Sequence, residues 1–388
     1  MHIVAFASFV RLPSTQRRPR PSTRQPPFLS TRRAPRTFVR LCPGPNNTTL
    51  LQTSITTFSS RPRSPADTPR TLDLHAVIHI ADPTYYSNLQ HELSNTSAPL
   101  DGAVLYELIL PSSFSYPTQV HGLREVRAPV RAPLDDTRRA HRMRAVAQAD
   151  AFNPCIPRWY LADLSSEKVK SLTKQHSPRQ PAPDPLRLIA AFLPCPELFA
   201  GAVAVPSRGA GLLVRALAAG DVATARRIAF ARKAVASTAS RAFASADAVT
   251  AARDAAAMSA VKAAGKAGAR HVALIYGAWH AGHLCRRSEN ELGMDFVRTR
   301  WRTAMVLPTK KGNTTALVVG CVVAAAYFCY AGLDWVLTIE SVVRTLEEGF
   351  DVDVDVTVRV LNMIGWYTVR HLLPYVGFQR WFDVGEGE

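Results

Sequence analysis

The sequence predicts an α/β protein: a central sheet with flanking helices, followed by a C-terminal transmembrane helix and a second membrane-associated helix. Three observations predict it. A strand–helix–strand pattern occupies residues 72–110, which is the signature of a βαβ unit. An Ala-rich stretch from Leu186 to about Gly268 reads as several helices. A short apolar strand, His271–Tyr276, then runs into a helix through a glycine turn.

Residues 1–70 come first. They carry 12 Arg, no Lys and one acidic residue, Asp67, which accounts for +11 of the chain's net +17. With 11 Pro and 18 Ser/Thr and no sustained apolar periodicity, this segment reads as a disordered organellar transit peptide. A plain disordered arm is the structural alternative. The remaining 318 residues hold 35 basic and 29 acidic side chains, so a broadly basic nucleic-acid-binding surface is not expected.

The folded domain is expected over residues 71–307. Leu72–Ile80 (LDLHAVIHI) reads as one buried strand, and Asp82-Pro83 as a helix start with Pro at the first helical position. Ala103–Leu110 is the second strand. Pro111–Arg144, basic and weakly patterned, reads as loop. Arg158–Leu172 begins extended, and Asp163 or Ser165 could cap a short helix. The Ala-rich helices break near Pro206–Gly211 and Gly220-Asp221. Phe296–Leu307 partly alternates and suggests a closing strand near a sheet edge.

Ala316–Leu333 is an 18-residue run without charge, and the uncharged stretch reaches back to Gly312. Eighteen helical residues span roughly 27 Å, close to a bilayer's hydrocarbon thickness, so 312–333 is assigned as a transmembrane helix. Its N-terminal flank is the more basic, which places the main domain on the stroma- or matrix-like side. The tail, 334–388, holds a weaker apolar stretch over about 356–378, read as a membrane-associated or second spanning helix. The leader fits an organelle, with chloroplast favoured over mitochondrion.

Six scattered cysteines with no CxxC pair suggest neither a disulfide framework nor a thiolate zinc site. Gly209–Leu212 (GAGL) lacks the spacing and lysine of a phosphate-binding loop, so no nucleotide is expected.

The residues that suggest chemistry lie at strand ends: His79, Glu107 and His280. Active sites of open α/β sheets form outside the carboxyl ends of strands. Two imidazoles and a carboxylate could bind a divalent metal ion with a coordination position left for water. Each has a structural alternative: a satisfied core histidine for His79, an ion pair with Arg253 or Arg302 for Glu107, and a turn-packing role for His280. His75 lies about 13 Å from His79 at strand rise, so the two cannot share one ion. His283 is a reserve ligand.

The segments HAVIHIADPTYYSNLQHEL, DGAVLYELI, RWYLADLS, RHVALIYGAWHAGHL and FVRTRWRTAMVL, in that order, resemble the TraB/PrgY family, which is related to the Tiki membrane-tethered metalloproteases. Gly277-Ala278-Trp279-His280 matches the family's second Gly-x-x-His motif. His79 matches the histidine of the first, whose glycine position holds Ala76. A methyl there is tolerated on an extended backbone and damaging at a positive φ. Glu107 falls at the family's glutamate. Arg253 falls at its helical arginine, with Asp254 where an Asn usually follows.

The resemblance implies a Tiki/erythromycin-esterase-like fold and a membrane-anchored, metal-dependent hydrolase, peptidase-like. His79, Glu107 and His280 would be the metal ligands, and Glu107 and Arg253 the catalytic groups. The alternative is a non-catalytic membrane adaptor that binds a peptide or protein in the same cleft.

Overall fold

The computed structural model describes residues 35, 37–61, 69–97, 101–117, 121–126, 128–176, 210–241 and 247–308, with scattered helical positions between 326 and 366. The described α/β domain is built on a nine-stranded mixed sheet. Its strands are β1 (Val39–Pro43), β2 (Thr49–Ser60), β3 (Thr71–Val77), β5 (Gly102–Tyr106), β6 (Ser115–Pro117), β7 (Arg124–Val126), β9 (Trp159–Leu161), β10 (His271–Gly277) and β11 (Met294–Leu307). A two-stranded ribbon pairs β4 (Ile80–Ala81) with β8 (Val146–Ala147). The described helices are α1 (Pro83–Ser97), α2 (Leu134–Arg142), α3 (Gln148–Ala151), α4 (Ser166–His176), α5 (Ala210–Ala218), α6 (Val222–Arg241), α7 (Ala248–Lys266) and α8 (Ala281–Glu291).

The centre of the sheet is parallel, in the order β3, β10, β5, β9. Strands buried on both faces should read as continuous apolar runs, and β5 and β10 do: Val104, Leu105, Val272, Leu274 and Ile275 are sealed in the core. The crossover from β3 through α1 skips over β10 to reach β5, so the last parallel strand in sequence lies between the first two. All four strands end on the same edge. That edge carries the candidate residues.

β2 is the organising antiparallel strand. One side pairs along its whole length with β11, and the other is shared between β1 and β3. The expectation of a disordered leader through residue 70 therefore fails for residues 39–60. Thr and Ile, read as leader-like hydroxyls and scattered apolars, are β-branched residues that suit a pleated sheet. Thr53, Ser54 and Thr56 are buried in it. Residues 1–34 lie outside the described residues.

Three other expectations change. The strand expected over Leu72–Ile80 stops at Val77, because the chain turns after Ile78 and His79 to pair Ile80 with Ala147. The strand expected over Ala103–Leu110 stops at Tyr106. The loop expected over Pro111–Arg144 contains β6, β7 and α2, a helix that buries only Ala140 and so shows no apolar stripe.

Pro83 opens α1, Trp159 and Ser166 open β9 and α4, and Gly220 (φ +68°) breaks α5 from α6, as the sequence suggests. β11 closes the sheet at its edge. Among the described residues no helix is long and apolar enough to cross a membrane. The expected span at 312–333 and the helix at about 356–378 lie largely outside the described residues.

Candidate functional site

Four neighbouring parallel strands deliver one polar residue each to the carboxyl edge. β3 leads to His79, β10 to His280, β5 to Glu107 and β9 to Asp163. From the side, α7 adds Arg253 and Asp254 on consecutive positions. Asp247 caps that helix by accepting from the Thr250 amide at 2.7 Å.

Glu107 is at the centre. Its Oε1 accepts from Arg253 Nη2, and its Oε2 accepts from the Gly277 backbone amide. Gly277 is required here for closeness rather than for its φ. A Cβ on it would stand 2.9 Å from Glu107 Oε2. This close approach accounts for a glycine at position 277. Burial pushes the Glu107 carboxyl upward, but the pull of His79, His280, Arg253 and the Gly277 amide outweighs it and holds its pKa below the ordinary 4.5.

Arg253 bridges two acids. Its Nε and Nη2 donate to Asp163 at 3.0 and 2.7 Å, while Nη2 also reaches Glu107. Buried charges persist when they are matched in this way, and the pairing drives the guanidinium pKa further up despite its own desolvation. Tyr276, in the core of β10, hydrogen-bonds the carbonyls of Ala162 and Arg253 at 3.3 and 3.2 Å and so ties β9 to α7.

His280 begins α8, its carbonyl accepting from the amides of His283 and Leu284. Its ring stands edge-on to Tyr276 with centroids 5.0 Å apart. Nδ1 donates to Asp254 Oδ1 at 2.6 Å, and Nε2 stands 3.8 Å from Glu107 Oε1. That separation is too long for a hydrogen bond, and a water touching both groups would sit to one side of the line between them. His283 stands 3.7 Å from the other oxygen of Asp254.

His79 differs in being exposed. The β4–β8 ribbon brings Gln148 beside it, and the Gln148 amide donates to the His79 carbonyl at 2.8 Å. Gln148 Oε1 then accepts from His79 Nδ1 at 3.1 Å. His79, Glu107 and Arg253 line one cavity of about 280 Å³. His75, one strand turn earlier, is instead buried in β3. Burial, with help from Arg302 and Arg300, pushes its pKa down to about 3.

The structure thus brings Glu107, Arg253 and His280 into one network and places His79 on the wall of the same cavity. Ala76 lies within β3 with an ordinary extended backbone and is 1% exposed, so its methyl simply fills core. Arg302 pairs with Glu92 rather than Glu107. Sequence reasoning gave Asp163 only a capping role and missed Gln148. The only available signal for Asp163 was its place just after a strand, 90 residues from Arg253.

The metal ion implied by the resemblance needs lone-pair nitrogens and a carboxylate, and both histidines and Glu107 offer that chemistry. Among the described residues, however, no group of three or more His, Cys, Asp or Glu is gathered as a ligand set. His280 and Glu107 share a point; His79 stands apart on the cavity wall. No family model, curated protein or solved structure matches the chain.

Proposed function

We propose that this chain is a TraB-like hydrolase, acting on amide-type substrates from the cavity at the carboxyl ends of β3, β10, β5 and β9. The observation that carries the reading is the pairing of His280 with Asp254. It fixes the protonated nitrogen and turns the lone pair of Nε2 toward the gap beside Glu107. A water in that gap could give a proton to His280 Nε2, while Asp254 stabilises the imidazolium that forms. Glu107, held ionised, orients that water rather than removing its proton. Arg253 keeps Glu107 in place and neutralises part of its charge.

In the metal-dependent form of this reading a divalent ion would be held by His280 and Glu107, with His280 Nε2 then a ligand instead of a base, and His79 would have to leave the cavity wall to join them. When bound, it would polarise a substrate carbonyl and acidify water. The membrane anchor at 312–333, the membrane-associated helix at about 356–378 and a chloroplast rather than mitochondrial address belong to the same proposal. They are supported by the uncharged run Ala316–Leu333 and by residues 1–37, which hold 8 Arg and no acid as an organellar leader would, and 8 Ser/Thr with 6 Pro, which suit a plastid.

The second reading is a non-catalytic adaptor that binds a peptide in the same cavity. One observation favours it: both carboxylate oxygens of Glu107 are already engaged, by Arg253 and by Gly277. Turnover of a peptide library by the full chain separates the two. Hydrolysis that falls by about 100-fold or more in His280→Ala supports the enzyme. Capture of the same peptides without hydrolysis, unchanged in His280→Ala, supports the adaptor.

A further inference from the structure

Beyond its charged end, the cavity is walled by Leu108 and Ile109 after β5, Val130 and Pro133 before α2, and Phe152 after α3. Phe152 is held in place. Its ring packs on Trp159 at 5.1 Å between centroids, and the Trp159 indole is pinned by a 3.1 Å bond to Ser97. An apolar wall fixed by neighbours is ready before any ligand arrives. The volume of about 280 Å³ sits at the lower end for small-molecule sites. It suits one side chain with its flanking amide, not a run of residues or a sugar chain.

Charge narrows the choice further. Of the described lining residues, Arg253 is the one permanent cation, and it is already matched to Glu107 and Asp163. Asp136 adds another carboxylate to the lining. An anionic ligand would meet two carboxylates on the cavity wall and a guanidinium that is occupied. Among the remaining polar groups, Gln148 has its oxygen committed to His79, which leaves its amide NH₂ as the donor it can offer the cavity.

We propose that the cavity selects a neutral amide-bearing substrate by one apolar side chain, with the Gln148 amide donating to the ligand's carbonyl oxygen. The proposal rests on the hydrolase reading only for what happens to the ligand afterwards; the selectivity stands on the lining itself. Gln148 is a binding and positioning residue here. It holds His79 with its oxygen and the ligand with its nitrogen.

The test uses the full chain and three probes, N-acetyl-leucinamide, N-acetyl-glycinamide and N-acetyl-aspartic acid amide, with binding followed by NMR titration. The leucine probe should bind about tenfold or more tightly than the glycine probe, and the aspartate probe weakest. Val130→Asp should bring the leucine probe down to the glycine level. Gln148→Leu should weaken the leucine and glycine probes by a common factor of about tenfold while keeping their order. In that variant the His79 ring nitrogens should also lose the ¹⁵N signature of a fixed tautomer.

Equal binding of all three probes by the wild-type chain, or preference for the aspartate probe, overturns the proposal without recourse to any variant. Selective binding without hydrolysis of a leucine-containing peptide would sink the hydrolase reading and leave the selectivity standing. Hydrolysis indifferent to the side chain would do the reverse.

Discussion

Two clusters of polar side chains are built into this sheet, and they differ in what they face. One lies at the carboxyl edge: Glu107, Arg253, Asp163, His280 and Asp254, of which Glu107 and Arg253 line the cavity. The other lies under α1, where Arg300 and Arg302 reach Glu92, Arg300 reaches Asp73, Thr57 donates to Asp73 at 2.5 Å, and Thr53 meets Tyr85 at 3.1 Å. His75 is packed into that second cluster, its Nδ1 without a partner among the described residues. None of its members lines the cavity.

The difference teaches where a buried histidine becomes useful. His280 is oriented by Asp254 and turns its other ring nitrogen toward Glu107, which lines the cavity. His75 is neutral, sealed and oriented by nothing described, so its burial is a cost that the sheet carries.

The largest effect that tests this contrast comes from Arg253→Ala. It leaves Glu107 and Asp163 buried without their shared cation, and should destabilise the fold by about 3–5 kcal/mol in urea unfolding. A loss below about 1 kcal/mol would mean that water reaches and screens these acids. Gly277→Ala should cost less, about 1–3 kcal/mol, because the new methyl displaces the Glu107 carboxylate from the amide it accepts from. If Gly277→Ala matches wild type in both stability and ligand binding, the close approach of Glu107 is not part of the site.

His75→Leu should have the smallest effect at neutral pH, within about 1 kcal/mol of wild type and on the stabilising side. Its signature is in acid. The His75 pKa falls from 6.5 to about 3 on folding, so the unfolded chain binds more protons between those values, and stability is lost as pH falls through that window. Glu107, lowered from 4.5, adds loss in the same direction only below that value. Between pH 6.5 and 4.5, His75→Leu should therefore flatten the fall in unfolding midpoint, by up to one proton's worth of slope. An unchanged slope would show that His75 is protonated in the fold.

The parallel core of the fold was legible because its strands are buried on both faces and announce themselves as apolar runs: HVALIY for β10, AVLY for β5. The candidate residues His79, Glu107 and His280 were legible for a related reason, as polar residues placed where such runs end. β1 and β2 were not, because a hydroxyl-rich strand such as TLLQTSITTF has the composition of a leader and becomes a strand only through its pairing with β3 and β11. α2 was not legible as a helix because LDDTRRAHR is almost wholly charged or polar, so its pattern is carried by charges rather than by an apolar stripe, with Ala140 alone buried.

Asp163, Gln148 and the role of Asp254 depend on contacts between residues 90, 69 and 26 positions apart, which no local spacing encodes. His79 rather than His75 reaches the cavity because β3 ends after Val77 and the chain turns, and this in turn depends on a ribbon made with residues 146–147.

The most direct test of the carboxyl-edge cluster as a working site is the divalent metal content of the purified full chain, loaded and desalted, beside His280→Ala and His75→Leu. The proposal predicts close to one ion per chain in the wild type and in His75→Leu, and its loss in His280→Ala. Equal metal in all three folded proteins, or none in any of them, would contradict it.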